Sequence, residues 1–141
     1  MLPPPPKEHL MTTPMMSPPN CKFTDSHEWF RVEGDLVVIG ITKYAANELT
    51  DVTYVGLKPK GTEIATGSSI GEVESVKTTS DVYSVLAGSI VEVNDVVSKD
   101  PSLVNSDPFG KGWLVKLKAT DTAGLSTLMD APTYDAKHPV G

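Results

Sequence analysis

The chain has 141 residues and a mass of 15.1 kDa, which is the size of one domain. Eighteen acidic residues against twelve basic ones give a net charge of −6 at pH 7, which argues against a nucleic-acid or anionic-membrane binder, because such a protein needs a basic face. No apolar run approaches the roughly 20 residues of a membrane span. The single cysteine, Cys21, excludes an intrachain disulfide, a CxxC redox pair and a cysteine-based zinc site.

The composition of the chain changes near residue 21. Seven of the twelve prolines and four of the five methionines lie in the first 19 residues, whereas all eleven glycines follow residue 33. We therefore predict a disordered Pro/Met-rich tail over 1–21 and a domain over 22–141. The tail has neither the arginines of a mitochondrial presequence nor the uninterrupted apolar stretch of a secretory signal, so we expect a cytoplasmic protein. The role of the tail and the true start methionine stay open.

From residue 36 onward, the chain reads as short strands separated by turns that contain glycine. Runs rich in β-branched and aromatic residues predict six strands, over 36–41, 52–57, 70–76, 81–86, 89–93 and 113–118. Helical signals are short and peripheral: Thr42 can cap a helix over 43–49, and 101–105 looks like one turn. Asp121 or Thr122 can cap a helix that reaches about Met129, and a second turn can follow Pro132. The pattern predicts an all-β sandwich or barrel with small helical additions.

Two motifs resemble catalytic signatures but lack the context that these signatures need. Residues 67–71 match G-x-S-x-G, yet a nucleophile elbow requires a strand, a sharp turn and a helix, and the residues after Ser69 read as strand. His27-Glu28 begins like H-E-x-x-H, but the fifth position is Arg31, and the three histidines have no metal-ligand spacing. We expect neither a serine hydrolase nor a metal centre.

The most informative segment is 74–84, in which two strand-like runs flank a polar stretch. This pattern predicts a hairpin that carries Lys77 at its tip, with Glu74, Ser80 and Asp81 nearby. A surface lysine usually does no more than keep a protein soluble. The spacing alone therefore leaves the role of Lys77 open.

Several short motifs follow one another along 22–137. They are Ser26-His27-Glu28-Trp29, Ile39-Gly40-Ile41-Thr42 with Tyr44-Ala45, Glu74-Ser75-Val76-Lys77 with Ser80-Asp81-Val82-Tyr83-Ser84, Val91-Glu92-Val93-Asn94, Leu103-Val104-Asn105, and Gly112-Trp113-Leu114-Val115-Lys116. Together and in this order, they resemble the H proteins of the glycine cleavage system, which are lipoyl carriers. Biotin carriers usually flank their lysine with methionines, and the lipoyl domains of 2-oxo acid dehydrogenases usually place an acid directly before it. Both are poorer matches, because Val76 and Thr78 flank Lys77.

This resemblance implies a lipoyl-type flattened β-barrel or sandwich (a barrel-sandwich hybrid) with short peripheral and C-terminal helices. It implies that Lys77 carries lipoic acid through an amide, in the context of Glu74, Ser80 and Asp81. The cofactor then supplies the redox-active disulfide that a chain with one cysteine cannot form. The resemblance also implies that the loaded arm folds against Ser26, Glu28 and Asp81. Two carboxylates and a hydroxyl suit a small protonated amine; the alternative is that both acids are solvated surface residues.

The resemblance further implies a covalent shuttle in glycine catabolism and one-carbon metabolism, not a catalyst. Its implied partners are a PLP-dependent glycine decarboxylase, a tetrahydrofolate-dependent aminomethyltransferase, an FAD-dependent dihydrolipoyl dehydrogenase and a lipoate-attaching enzyme. We expect a monomer that meets them in transient contacts, without nucleic acid or membrane. Two alternatives stay open: a relay that donates lipoyl groups to other enzymes, and an unmodified structural or interaction module.

Overall fold

The computed structural model describes residues 17–138, so most of the predicted tail (1–16) and residues 139–141 lie outside the described part of the chain. Short strands dominate this part, and short helices connect or follow them. The strands are β1 (Lys22–Phe23), β2 (Glu28–Glu33), β3 (Leu36–Ile41), β4 (Val52–Leu57), β5 (Glu63–Ile64), β6 (Ser69–Ser75), β7 (Thr79–Tyr83), β8 (Gly88–Val93) and β9 (Val115–Ala119). The helices are α1 (Lys43–Leu49), α2 (Asp95–Lys99), α3 (Leu103–Ser106), a 3-10 helix (Ala123–Thr127) and α4 (Ala131–Lys137).

The strands form two antiparallel sheets that do not close into a barrel. One sheet has six strands in the order β1-β2-β3-β9-β8-β5, and the other has three in the order β4-β6-β7. Both sheets contribute to one hydrophobic core, for example through Ile39 and Leu117 from the larger sheet and Val55 and Val73 from the smaller one. Burial of such apolar side chains is the main force that holds the sheets face to face. The all-β sandwich prediction is confirmed.

The helix α1 begins and ends where the sequence predicts. The Thr42 side chain accepts a hydrogen bond from the backbone N–H of Ala45 (3.2 Å), which satisfies one of the unpaired donors of the first turn. The helix that was expected to extend to about Met129 is shorter, because residues 123–127 form a single 3-10 segment. The turn expected after Pro132 is instead the longer helix α4, which Asp130 caps by accepting from the Thr133 N–H (3.0 Å).

The end of the predicted tail contacts the domain. Cys21 is buried in a second apolar cluster with Phe23, Trp29 and Tyr134. The Ser17 hydroxyl donates to Asp135 on α4 (2.6 Å), and the Ser17 N–H donates to the same carboxylate (2.9 Å). Residues 17–21 thus pack against β2 and α4 through contacts that their proline-rich composition did not indicate. No helix within 17–138 combines the length and the apolar character needed to cross a bilayer.

Candidate functional site

The hairpin β6–β7 presents Lys77 in the turn 76–78 between its two strands. Ser75 holds this turn: its Oγ accepts hydrogen bonds from the backbone N–H groups of Lys77 and Thr78 (both 3.1 Å), and its N–H donates to the Thr78 carbonyl (2.8 Å). The Val76 N–H donates to the carbonyl of Asp51 (3.1 Å) and so fastens the turn to the start of β4. The lysine therefore projects from an ordered turn rather than from a loose loop.

The Lys77 side chain is exposed and leans toward α1. Its ammonium Nζ donates a hydrogen bond to the backbone carbonyl of Glu48 near the C-terminal end of α1 (3.1 Å). That end of a helix carries unpaired carbonyls and partial negative charge, so a cation is stabilised there. The stem of the lysine thus runs from the hairpin tip to the last turn of α1.

A cleft of about 140 Å³ lies between α1, the β1–β2 loop and the edge strand β7. Its lining includes three acidic side chains and several apolar ones, and, among the residues described, neither a lysine nor an arginine. Lining residues are Ser26, His27, Glu28, Ile41, Ala45, Glu48, Leu49, Val73, Ser80, Asp81 and Val82. The predicted residues Ser26, Glu28, Ser80 and Asp81 therefore line one cleft, which also contains Glu48, the residue whose carbonyl Lys77 contacts.

Glu28 is the buried acid of this cleft, with 2% of its surface exposed. Its Oε1 accepts hydrogen bonds from the hydroxyls of Thr24 (2.5 Å) and Ser26 (2.6 Å), and its Oε2 accepts from the backbone N–H of Tyr83 (3.0 Å). A buried carboxylate needs such donors, because burial without them costs several kcal/mol. A carboxylate can accept about four hydrogen bonds. Because Glu28 accepts three here, its Oε2 can accept one further hydrogen bond.

Asp81, Ser80 and Glu74 occupy less enclosed positions than Glu28. Asp81 is exposed on β7, and the hydroxyl of Tyr83 lies 3.4 Å from its Oδ2. Ser80 is exposed at the cleft, whereas Glu74 is half-buried and pairs in register with Tyr54 and Thr79 on the neighbouring strands. Glu74 does not line the cleft. The three predicted residues nearest Lys77 in sequence therefore lie in two places: Ser80 and Asp81 line the cleft, and Glu74 lies outside it.

His27 forms part of the cleft wall next to Glu28. Its backbone lies in the left-handed region (φ 74°), and its Nδ1 is 2.8 Å from the hydroxyl oxygen of Tyr134. Its ring contacts those of Tyr44 and His138, each with a centroid distance of 4.6 Å. Burial, and secondarily the nearby His138, lower the pKa of His27. The imidazole is therefore neutral at pH 7 and does not offset the negative charge of the cleft.

Neither of the two motifs that resemble catalytic signatures has the geometry of that signature in the described part of the chain. Ser69 lies in β6, where its hydroxyl donates to the carbonyl of Gly71 (2.9 Å) and accepts from the Gly71 N–H (3.1 Å). This serine holds a local irregularity of the strand and has no nucleophile-elbow geometry. Within residues 17–138, no three His, Cys, Asp or Glu side chains converge in a way that could hold a metal ion.

Comparison with known proteins decides the family. The family model described as "Glycine cleavage H-protein" matches residues 21–139. The chain belongs to this family. The glycine cleavage system H protein of Bacteroides thetaiotaomicron is 44% identical over 122 residues, which cover 86% of this chain and 97% of the relative. The H protein of a Synechococcus strain is 45% identical over 117 residues, which cover 83% and 91%.

A solved structure supports the same assignment at the level of the fold. The crystal structure of a glycine cleavage system H protein from Mycobacterium marinum superposes with a TM-score of 0.79 at 35% sequence identity. The match covers 88% of this chain and all of that one. The sandwich and its helices are therefore the H-protein fold.

Three residues of this candidate site were not among the site residues predicted from the sequence. Thr24 donates to Glu28, Ser75 holds the lysine turn, and Glu48 lines the cleft and contacts Lys77 through its carbonyl. Ser75 stands two residues before Lys77, and a serine in that position commonly caps the backbone of a turn. That signal was available in the sequence. Thr24 and Glu48 carry no such local signal, because their roles depend on contacts that the tertiary fold creates.

Proposed function

We propose that this H-family protein carries lipoic acid as an amide on Lys77 and shuttles the aminomethyl group of glycine. The observation that carries this proposal is the exposed ammonium of Lys77, held by an ordered hairpin turn beside a cleft with a buried carboxylate. An exposed turn makes the lysine accessible to a lipoate-attaching enzyme. The ordered turn limits the conformational entropy that this enzyme has to overcome.

The residues around Lys77 fit a lipoyl amide. When bound, the lipoyl group supplies a dithiolane that can accept the aminomethyl group and two electrons, chemistry for which this chain has no side chain of its own. Conversion of the ammonium to an amide removes its charge but keeps one N–H, which can still donate to the carbonyl of Glu48. The lysine stem is flexible, so the same residue can also release that contact and extend toward a partner.

The cleft fits a small cationic cargo. An aminomethyl group carries a protonated amine, and Glu28, Asp81 and Glu48 bring three carboxylates to the cleft lining. Oε2 of Glu28 has room for one more donor, and the Ser26 hydroxyl already orients Oε1 of that carboxylate. Charge-assisted hydrogen bonds of this kind are stronger than neutral ones, especially where water is partly excluded. The neutral imidazole of His27 does not repel the cargo.

In this proposal the protein is a substrate of other enzymes rather than a catalyst. A PLP-dependent glycine decarboxylase loads the arm, a tetrahydrofolate-dependent aminomethyltransferase unloads it, and an FAD-dependent dihydrolipoyl dehydrogenase reoxidises it. The net charge of −6 suits weak electrostatic docking with several partners in turn, by a monomer that forms no permanent complex. While the loaded protein moves from one partner to the next, shielding of the cargo from water would slow the hydrolysis of the cargo.

The test is a loading assay with purified lipoylated protein, glycine and a glycine decarboxylase. We expect a mass increase of one aminomethyl group on the arm and release of one CO2 for each group loaded, and neither with Lys77→Arg. A parallel assay offers the lipoylated protein to an unmodified lipoyl domain in the presence of a lipoyl amidotransferase, which moves the lipoyl group from the amide of Lys77 to a lysine of that domain and frees the Lys77 amine. Transfer of the lipoyl group to that domain, without aminomethyl loading, would replace the proposal with the lipoate relay.

A further inference from the structure

The hydroxyl of Tyr134 joins two elements that form the cleft. Its oxygen lies 2.8 Å from Nδ1 of His27 in the β1–β2 loop and 2.7 Å from Oγ1 of Thr42, the cap of α1. A backbone hydrogen bond from the Thr42 N–H to the His27 carbonyl (3.0 Å) runs beside it. His27 lines the cleft directly, and α1 contributes Ala45, Glu48 and Leu49 to the lining. Tyr134 itself does not line the cleft.

One direction of the hydrogen bonds through Tyr134 gives both hydroxyl protons an acceptor. Thr42 Oγ1 accepts from the N–H of Ala45, so its own proton is available to the Tyr134 oxygen. Tyr134 can then donate its proton to Nδ1 of a neutral His27. Protonation of His27 at Nδ1 would reverse this order and leave the Thr42 proton without an acceptor among the contacts of the described residues. The arrangement therefore favours neutral His27.

Tyr134 is itself firmly held on α4. Its side chain is 1% exposed, and its ring stacks on Phe23 at a centroid distance of 4.8 Å. Burial raises the pKa of Tyr134 to about 12, so the hydroxyl keeps its proton throughout the physiological range. The left-handed backbone of His27, which costs a residue with a Cβ about 1 kcal/mol or more, needs such external support.

We propose that Tyr134 is a positioning residue of the cleft, and that α4 braces the cleft through it. Its hydroxyl fixes the β1–β2 loop against the start of α1 and holds His27 neutral beside Glu28. It acts through His27 and Thr42, without touching the cargo. The inference rests on the proposed function, because the consequence it predicts is slower loss of the aminomethyl cargo to water.

The first measurement is independent of lipoylation. Tyr134→Phe removes the hydroxyl and keeps the ring, and Ser17→Ala is a matched control that removes another hydroxyl bonded to α4. The pKa of His27 is read by NMR titration, with Asp25, Glu28, Glu48 and His138 as the other charged or titratable groups that act on it. We expect the pKa of His27 to rise by about half a unit or more in Tyr134→Phe and to stay unchanged in Ser17→Ala.

The second measurement is cargo retention. The reduced lipoylated protein is loaded with formaldehyde and ammonia, which condense with one thiol to S–CH2–NH2 and release water. Hydrolysis consumes one water and returns the thiol, formaldehyde and ammonia, so formaldehyde release gives the rate. We expect the cargo on Tyr134→Phe to hydrolyse roughly three- to tenfold faster than that on the unaltered protein, because the loosened cleft no longer keeps water away from it. Ser17→Ala should match the unaltered protein.

The outcomes separate this inference from the function on which it rests. An unaltered protein that loses its cargo as fast as free loaded lipoamide would contradict the shielding role of the cleft itself. An unaltered protein that protects its cargo, together with a Tyr134→Phe variant that protects it equally and has the same His27 pKa, would overturn the positioning role alone. Equal acceleration in Tyr134→Phe and Ser17→Ala would also overturn it, since general loosening of α4 would then explain both.

Discussion

The ammonium of Lys77 lies 3.1 Å from the backbone carbonyl of Glu48, 29 residues away in the chain. Glu48 also lines the cleft that contains the buried carboxylate of Glu28. The residue proposed to carry the arm and the cleft proposed to receive its cargo are thus connected through the last turn of α1.

Replacement of Glu28 should affect both stability and cargo retention. Glu28→Ala leaves the Thr24 hydroxyl, the Ser26 hydroxyl and the Tyr83 N–H without their acceptor, so we expect a loss of about 2–4 kcal/mol in the free energy of unfolding. Glu28→Gln keeps an acceptor oxygen and should cost less, about 1–2 kcal/mol, while removing the charge that the cargo amine needs. Urea unfolding and the formaldehyde-release assay measure the two effects.

The comparison of these two variants separates the charge of Glu28 from its structural role. If Glu28→Gln is stable and retains its cargo as well as the unaltered protein, then the carboxylate is structural and the cleft does not bind the amine through it. Asp35→Asn is a suitable control, because Asp35 is an exposed acid that does not line the cleft.

Gly71 in β6 allows the close approach of β4 within the sheet that carries the lysine hairpin. Its φ is +151°, and a Cβ there would lie 2.5 Å from the Gly56 carbonyl oxygen and 2.8 Å from Leu57 Cα. Backbone atoms cannot yield as a flexible side chain does, so we expect Gly71→Ala to cost about 2–4 kcal/mol of unfolding free energy. Gly34→Ala is the matched control: its φ is also positive (+64°), but its Cβ would meet nothing within 4 Å. That variant should cost about 1 kcal/mol. Equal costs by urea unfolding would contradict the steric explanation.

Much of the fold could be predicted from the sequence because its signals are local. Runs of β-branched residues located β3 and β4, and the capping threonine located α1. β2 was not predicted, because Glu28, Arg31 and Glu33 give it a polar composition, although Trp29 and Phe30 between them are buried. Its position depends on pairing with β1 and β3, which no local pattern records.

The candidate site, like the fold, could be predicted from the sequence only in part. Its acids and the lysine lie in motifs that can be read from the sequence, but the cleft requires residues from 26 to 82 to converge. The contact between His27 and Tyr134 joins positions 107 residues apart. Such contacts arise from the packing of α4 against the larger sheet, and a single sequence gives no pattern for them.

The protein should become less stable in alkali as its buried thiol ionises. Burial raises the pKa of Cys21 from 9.0 to about 11, partly offset by the nearby Arg31. Between these values the unfolded chain has lost the thiol proton while the folded protein keeps it. The stabilisation is fully present below pH 9 and is lost as the pH rises toward 11. Across this range the free energy of unfolding therefore falls by roughly 1–3 kcal/mol. Urea unfolding at pH 8 and pH 10.5 measures the loss.

Cys21→Ser isolates this contribution, because serine has nearly the same size and does not ionise in this range. We expect its stability to fall less between pH 8 and pH 10.5 than that of the unaltered protein. The remaining fall would come from other groups, including Tyr134, whose pKa burial also raises. An identical fall in both proteins would show that the Cys21 thiol is not protected from ionisation.

The most direct test of the central claim is the intact mass of the protein, followed by peptide mapping, after expression with lipoate and an active lipoylation system. We predict a lipoyl increment on the peptide that contains Lys77, its absence in Lys77→Arg, and its persistence in Lys60→Arg, which alters another exposed lysine. An unmodified Lys77 in a system that lipoylates a control carrier would contradict the shuttle and favour the unmodified structural module.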